Sequence, residues 1–172
     1  MMYAILHNIR SLHNVGSIFR TADAAGVEKL YLCGITGTPP RKEIAKVALG
    51  AEQTVAWEYV RRTGDVIKRL RKQGVRIVAL ERTKNSIDYR KVLPLLKGEG
   101  GGEVKMALLV GNEVEGLPPA LLRQADTVIH IPMRGKKESL NVSVAFGIAI
   151  YQLILDNSSQ PPLTLRGGGS PS

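Results

Sequence analysis

The sequence predicts an α/β domain in which a mainly parallel sheet carries helices on both faces. Strand candidates alternate with helix candidates along the chain, an order typical of parallel sheets. The strand candidates are continuous apolar runs, as expected for strands that are buried on both faces. The 172 residues, 44% of them hydrophobic, suit one compact domain with a sizeable core.

The first part of the chain supplies two strands and two helices. Residues 2–6 are a short apolar run that predicts the first strand. A helix is expected from about Asn14, which can cap it, to Gly26, which can end it. Residues 29–33 are the next strand candidate, and a loop rich in glycine and proline leads to a helix at residues 41–49.

The middle of the chain repeats this alternation. Residues 55–60 form a short apolar segment, and residues 65–73 form a basic amphipathic helix that Gly74 ends. Residues 75–80, rich in Val, Ile and Leu, predict a buried strand. After a polar stretch, residues 89–96 favour a short helix.

The last part contains the clearest strand. Residues 97–102 are flexible by composition, and residues 104–110 after them predict the strongest strand in the chain. Pro118 and Pro119 then open a helix that runs through Arg123. Residues 127–131 predict another strand, and residues 140–155 predict the last helix.

These elements define one domain, residues 1–156. Residues 157–172 are rich in serine, proline and glycine and predict a disordered tail. No signal peptide pattern opens the chain, and the longest apolar run, residues 144–155, is too short to span a bilayer. We therefore expect a cytoplasmic protein that does not enter the membrane.

The composition limits the kinds of site and partner that this chain can have. The single cysteine, Cys33, excludes an internal disulfide and any cysteine-based metal cluster, and it is most simply a core residue. The three histidines have no metal-ligand spacing, so no metal site is expected. Twenty-four Lys and Arg against 15 Asp and Glu give a net charge of +9, which favours a polyanionic partner such as nucleic acid.

Three loops that follow strand candidates carry unusual polar residues, and in a parallel sheet such loops form the ligand site. The first, residues 8–22, contains Asn14 and Arg20. Asn14 is open to interpretation as an N-cap or a site residue, and Arg20 as a surface residue or a site residue.

The second loop, residues 110–118, has glycines that let a ligand approach the backbone. It lacks the Lys-Ser/Thr pair of a phosphate-binding loop, and the chain has no dinucleotide fingerprint, so ATP and NAD are disfavoured. Glu113 is either a carboxylate at a helix start or a site residue.

The third loop, residues 131–143, is polar and basic and runs into an apolar helix. Ser139 is a natural N-cap, whereas Asn141 in the first turn is a poor helix former, which indicates a role other than stability. Lys136 and Lys137 form a solvated face or hold a phosphate.

Together the three loops resemble the three sequence motifs of the SpoU (TrmH) family of RNA ribose methyltransferases, in the SPOUT class. Residues 14–22 resemble the first motif, residues 109–117 the second, and residues 131–143 the third. Order and separation agree, and three ordered motifs are far more specific than one glycine loop. The resemblance covers about residues 1–156.

The resemblance implies a C-terminal deep trefoil knot that builds a pocket for S-adenosylmethionine, without a metal. It implies that main-chain groups near five residues line this pocket: Leu80, Gly111, Ile131, Met133 and Leu140. It also implies methyl transfer to a ribose 2′-hydroxyl of tRNA or rRNA. Five residues match the catalytic or polar site positions: Arg20, Asn14, Glu113, Ser139 and Asn141.

The resemblance further implies a homodimer in which each active site borrows from its neighbour. Family members commonly have an extra N-terminal RNA-binding domain, whereas the first motif lies near the start of this chain, so RNA binding is expected from the core. Six basic residues clustered around one helix are candidates: Arg61, Arg62, Lys68, Arg69, Arg71 and Lys72. Two other functions stay open, a noncatalytic RNA-binding protein and an enzyme acting on a small phosphorylated metabolite.

Overall fold

A computed structural model of the protein describes residues 1–92 and 103–157, apart from the side chain of residue 156. In it seven strands form one sheet: β1 (Met2–His7), β2 (Lys29–Cys33), β3 (Ala56–Val60), β4 (Arg76–Leu80), β5 (Ile87–Asp88), β6 (Met106–Val110) and β7 (Thr127–His130). Their spatial order is β3-β2-β1-β6-β4-β7-β5, and all neighbouring pairs are parallel. The predicted parallel sheet is confirmed.

Helices cover both faces of the sheet, as predicted. They are α1 (Leu12–Ala25), α2 (Lys42–Ala48), α3 (Ala51–Thr54), α4 (Thr63–Lys72), α5 (Pro119–Leu122) and α6 (Val142–Asn157). Along β6 the buried side chains alternate, so that Leu108 and Val110 join the core under α1 and α6. Ala107 and Leu109 join the core under α4 and α5. Both faces of the strand are therefore apolar, which explains its continuous apolar sequence.

The chain changes direction across the sheet between β1 and β6. β2 and β3 lie on one side of β1 in the sheet. β6 lies on its other side and is followed by β4, β7 and β5. The strand ends are level here, because Leu6 pairs with Val110 and Val110 pairs with Leu80. Such a topological switch opens a crevice beyond the carboxyl ends of the strands.

Two helix starts differ from the prediction. α1 begins at Leu12, with Ser11 as the N-cap whose side chain accepts a hydrogen bond from the Asn14 backbone. Asn14 as a cap is therefore wrong. Ser139 as the cap of α6 is also wrong, because Asn141 precedes the helix and its side chain accepts from the Ser143 backbone at 2.9 Å.

The shortest elements were not expected from the sequence. β5 lies in the polar stretch before residue 89, and α3 is a single turn after α2. Of the helix predicted at residues 89–96, the structure describes a 3₁₀ turn at Tyr89–Lys91 followed by helical Val92, and residues 93–96 lie outside the described residues. Such short elements contain too few residues for a periodic pattern.

The last helix ends two residues later than predicted. α6 extends to Asn157, whose buried side chain bonds the Val104 backbone N–H at 2.9 Å and its carbonyl at 2.8 Å. Residues 158–172 of the expected tail and the segment 97–102 lie outside the described residues. In the described part of the chain, no helix has the length and apolar character needed to cross a membrane. The trefoil knot stays a prediction.

Candidate active site

The loops that follow β1 and β6 meet at the crevice between these two strands. The Glu113 side chain reaches across it to the start of α1. Its Oε1 accepts from the Ser11 backbone N–H at 3.2 Å, and its Oε2 accepts from the Arg10 backbone N–H at 3.2 Å. Glu113 thus joins two loops about a hundred residues apart in sequence.

Asn14 continues this connection to the third loop. Its Nδ2 donates to Glu113 Oε1 at 3.0 Å, and its Oδ1 accepts from Asn141 Nδ2 at 3.1 Å. The Asn141 Oδ1 in turn accepts from the Ser143 backbone at the start of α6. One chain of hydrogen bonds, Glu113–Asn14–Asn141, therefore links the three loops singled out by sequence. We call it the amide chain.

The amide chain requires an ionised Glu113. Partial burial works against ionisation, but hydrogen bonds from Asn14 and from the backbone of the first loop outweigh it, so the pKa of Glu113 lies below its ordinary value. A carboxylate can only accept, which fixes the Asn14 amide with its nitrogen toward Glu113 and its oxygen toward Asn141. The charge on Glu113 thereby orients both asparagines.

Asn112 holds the second loop in shape and was missed by sequence reasoning. It is buried, and its Oδ1 accepts from the backbone of Val114 and of Glu115 at 2.8 and 3.0 Å. Its Nδ2 donates to the Asn8 carbonyl at 3.0 Å. Its position directly after a buried strand and a glycine was the available signal, because asparagine side chains favour such turns.

The same loop folds back tightly on itself. A Cβ on Gly111 would lie 2.6 Å from the Gly116 carbonyl carbon, closer than atoms approach without rearrangement. Gly116 has a φ of 65°, in the left-handed region that favours glycine. Both glycines are thus needed for the turn itself.

A cavity of about 260 Å³ opens between this loop and the loops after β4 and β7. All five residues that the resemblance assigned to a cofactor line it: Leu80, Gly111, Ile131, Met133 and Leu140. Glu113 and Ser139 also line it, and the sequence reasoning did not include two further wall residues, Glu81 and His130. The wall is partly apolar, with a few polar groups, as in small-molecule sites.

Arg20 stands apart from this cavity. It is exposed on α1, does not line the cavity, and makes no hydrogen bond or ion pair within residues 1–92 and 103–157. α1 packs against α6, where the Thr21 side chain lies 3.7 Å from the position of a Cβ on Gly147. The structure therefore brings Asn14, Glu113 and Asn141 together and leaves Arg20 free to meet another molecule.

The basic residues around α4 fall into two groups, those that pair with carboxylates and those that are exposed without such a pair among the described residues. Arg69 pairs with Glu58 at 2.9 Å, and Arg71 pairs with Asp126 at 2.8 Å. Arg61 and Arg62 are exposed just after β3, at the carboxyl ends of the strands, where the cavity also lies, although β2 and β1 separate β3 from β6. Lys72 ends α4 about 15 Å away, since ten helical residues rise that far.

The remaining nucleophile and metal candidates fit structural roles. Burial raises the pKa of the Cys33 thiol to about 11, which suits a core residue. Burial also lowers the pKa of His7, whose ring bonds Thr63. The described residues contain no group of three or more His, Cys, Asp or Glu side chains placed to hold a metal ion.

Comparison with known proteins identifies a family. The family model described as the SpoU rRNA methylase family matches residues 1–151. A tRNA (guanosine(18)-2′-O)-methyltransferase of Aquifex aeolicus is 34% identical over 149 residues, covering 84% of this chain and 64% of that protein. A 23S rRNA (guanosine-2′-O-)-methyltransferase of Ralstonia nicotianae is 31% identical, covering 91% of this chain and 59% of that protein.

Solved structures agree with the sequence relatives. An AdoMet-bound rRNA methyltransferase from Sinorhizobium meliloti superposes with a TM-score of 0.79 at 34% identity, covering 88% of this chain and 55% of that one. The A. aeolicus TrmH/SpoU tRNA modifying enzyme gives 0.78 at 32% identity, covering 90% and 74%. The chain thus spans about three fifths of the length of the curated relatives described above.

The amide chain predicts a pH-dependent contribution to stability. Glu113→Gln should lower the free energy of unfolding near neutral pH by about 1 kcal/mol, because charge-assisted hydrogen bonds at a solvent-accessible site are lost. The folded pKa of Glu113 is depressed, so its contribution is present above the ordinary value of 4.5 and is lost as pH falls through the folded pKa. Urea unfolding of both proteins across this range measures the difference.

Glu115→Gln is the matched control. The Glu115 carboxylate is exposed and meets the Arg10 guanidinium at 3.8 Å, so its loss should change stability by less than about 0.5 kcal/mol. Equal losses in the two variants, or a Glu113→Gln effect independent of pH, would contradict the role given to Glu113.

Proposed function

The chain belongs to the SpoU rRNA methylase family, and on that basis we propose that it transfers a methyl group from S-adenosylmethionine to a ribose 2′-hydroxyl of RNA. The observation that carries the proposal is the cavity, because its walls come from the loops of all the predicted cofactor residues. The Glu113–Asn14–Asn141 chain joins two of these loops, those after β6 and β7, to the start of α1. The relatives' names, which specify guanosine 2′-O-methylation of tRNA and of 23S rRNA, support the substrate class.

The cavity fits the adenosyl part of the cofactor. Its volume of about 260 Å³ lies slightly below the usual range for small-molecule pockets, and Leu80, Ile131 and Leu140 supply apolar surface for a base. The residues that line the cavity would hold the cofactor, which would supply an electrophilic methyl group and a thioether leaving group, while the hydroxyl proton would pass to solvent water. The chain's own residues contribute alignment and orientation.

We assign Arg20 to positioning of the ribose and its phosphate. A guanidinium stays protonated in proteins, so it cannot accept the hydroxyl proton, but its planar donors match a phosphate. Arg20 is exposed and lies away from its own cavity. We therefore infer that it serves the cavity of a second copy of the chain.

An apolar face on α6 supports this homodimer. Val144 and Tyr151 are 50% and 42% exposed, and their spacing of seven residues puts them on one side of the helix. α6 packs against α1, which carries Arg20. A second copy of the chain that covers this face removes its apolar surface from water. The same copy lies next to Arg20, so the dimer interface serves both stability and catalysis.

The candidate RNA surface consists of the basic residues that are exposed and not paired with a carboxylate among the described residues. Arg69 and Arg71 are held by carboxylates, whereas Arg61 and Arg62 lie exposed after β3, at the same carboxyl ends of the strands as the cavity. Lys136 and Lys137 are also exposed at the carboxyl ends of the strands, in the third loop. We propose that RNA phosphates contact Arg61 and Arg62, so that the backbone crosses the carboxyl edge of the sheet toward the cavity.

Cofactor binding is the first expected result. Calorimetry should detect binding of S-adenosylmethionine in the presence of a metal chelator. Gly111→Ala should abolish it, because a Cβ there collides with Gly116 and deforms the loop. Gly135→Ala, where an added Cβ meets nothing within 4 Å, is the control and should bind normally. Binding of ATP with none of S-adenosylmethionine would favour an enzyme of phosphorylated metabolites.

Arg20→Ala should keep cofactor binding and lose methyl transfer by about 10²-fold or more, because a positioned charge at the reacting centre is lost. Arg20→Lys should also fail, since lysine lacks the planar donor set. The measurement is transfer of label from the cofactor into bulk tRNA and rRNA, with digestion to locate the label. Label on a base, or near-normal activity of Arg20→Ala, would contradict the assignment, and wild-type cofactor and RNA binding without transfer would favour a noncatalytic protein.

Coexpression tests whether Arg20 acts across the dimer. Arg20→Ala retains an intact cavity, and Gly111→Ala retains an intact Arg20. A mixed dimer then contains one complete site if Arg20 serves the neighbouring cavity, so coexpression should restore activity that neither variant has alone. No restoration in mixed dimers verified by affinity tags would show that Arg20 acts within its own chain.

The RNA surface is tested by the charge-matched pairs Arg61→Gln with Arg62→Gln and Lys68→Gln with Lys72→Gln. The first pair should weaken tRNA or rRNA binding and reduce the slope of log affinity against log salt by about two, because two phosphate contacts are lost. The second pair, toward the far end of α4, should change the slope little. Equal effects of both pairs would indicate that only net charge matters.

A further inference from the structure

The side chain of Glu81 lines the cavity, and its carboxylate takes no part in the amide chain. It follows Leu80 at the carboxyl end of β4, and it is half-buried. Its own backbone N–H donates to the Ile129 carbonyl at 2.9 Å, which extends the pairing of β4 with β7. The residue is therefore anchored between two of the strands whose loops form the cavity.

Two hydrogen bonds orient the Glu81 carboxylate. Its Oε2 accepts from the Leu117 backbone at 2.8 Å, and its Oε1 accepts from the Arg82 backbone at 3.0 Å. A Cβ on Gly116 would come within van der Waals overlap of Oε2, so the glycine loop is shaped to admit this side chain. Glu81 thus joins the end of β4 to the loop after β6.

The negative charge is only partly compensated. Within the described residues no Lys, Arg or His lies at ion-pair distance from Glu81, and the two backbone donors occupy two of about four acceptor sites on the carboxylate. A half-buried carboxylate gains from further donors. The cavity is where a ligand can supply them.

Neighbouring hydroxyls on one sugar ring are the donors that fit this acceptor. An acidic side chain at the carboxyl end of a parallel strand binds ribose hydroxyls in other nucleotide sites, for the same geometric reason. We propose that Glu81 accepts hydrogen bonds from the ribose hydroxyls of the adenosyl group and so selects a ribonucleoside cofactor over its deoxy forms. This inference rests on the proposed cofactor function.

The test uses S-adenosylhomocysteine and its 2′-deoxy and 3′-deoxy analogues, with affinity measured by calorimetry. Wild type should bind at least one deoxy analogue about tenfold or more weaker, because a hydrogen bond to a charged acceptor is lost. Glu81→Gln keeps an oxygen for the Leu117 backbone but loses the charge and an acceptor. It should bind S-adenosylhomocysteine about tenfold weaker and discriminate little among the three ligands.

Glu43→Gln is the control, because Glu43 carries the same charge but is exposed on α2 and does not line the cavity. It should keep both affinity and discrimination. Equal weakening of all three ligands by Glu81→Gln would overturn the proposal and leave Glu81 as a support of the loop. Equal affinity of wild type for the three ligands would overturn it without any variant, whereas no binding of S-adenosylhomocysteine by wild type would overturn the proposed function instead.

Discussion

The hydrogen bonds from Asn14 to Glu113 and to Asn141 are the contacts on which the site depends. Glu113 and Asn141 belong to the loops after β6 and β7, and Asn14 is rigid because it lies in the first turn of α1. The ionised Glu113 determines which end of the Asn14 amide faces which partner. Two loops that are distant in sequence are thereby oriented against one helix start.

The sheet makes this arrangement possible. β1 and β6 are neighbours although about a hundred residues separate them, and β4 and β7 follow in the same direction. The carboxyl ends of all four strands lie on the same side of the sheet, so the loops that follow them converge without long connections. The tight turn at Gly111 and Gly116, organised by the buried Asn112, then leaves room for the cavity between the loops. The polar residues at this edge are thus positioned by apolar strands.

The sequence predicts the layers and the location of the site because apolar runs and loop motifs are local signals. It does not predict which asparagine caps a helix. Asn14 was open to two roles, and Asn141 was expected inside the first turn of its helix. In the structure Ser11 caps α1 and Asn141 caps α6. Glu81 and Asn112 were missed because each acts on a loop brought near by folding. The division of the basic cluster likewise depends on Glu58 and Asp126, which lie outside the predicted helix.

The central claim is that the loops after β4, β6 and β7 hold the cofactor, and that the Glu113–Asn14–Asn141 chain orients the last two of these loops against the start of α1. A crystal structure of the protein with S-adenosylhomocysteine tests it most directly. The account predicts electron density for the adenosyl group between the loops that contain Leu80, Gly111 and Met133, with the amide chain intact. Density at another place on the molecule, or an amide chain broken in the complex, would contradict it.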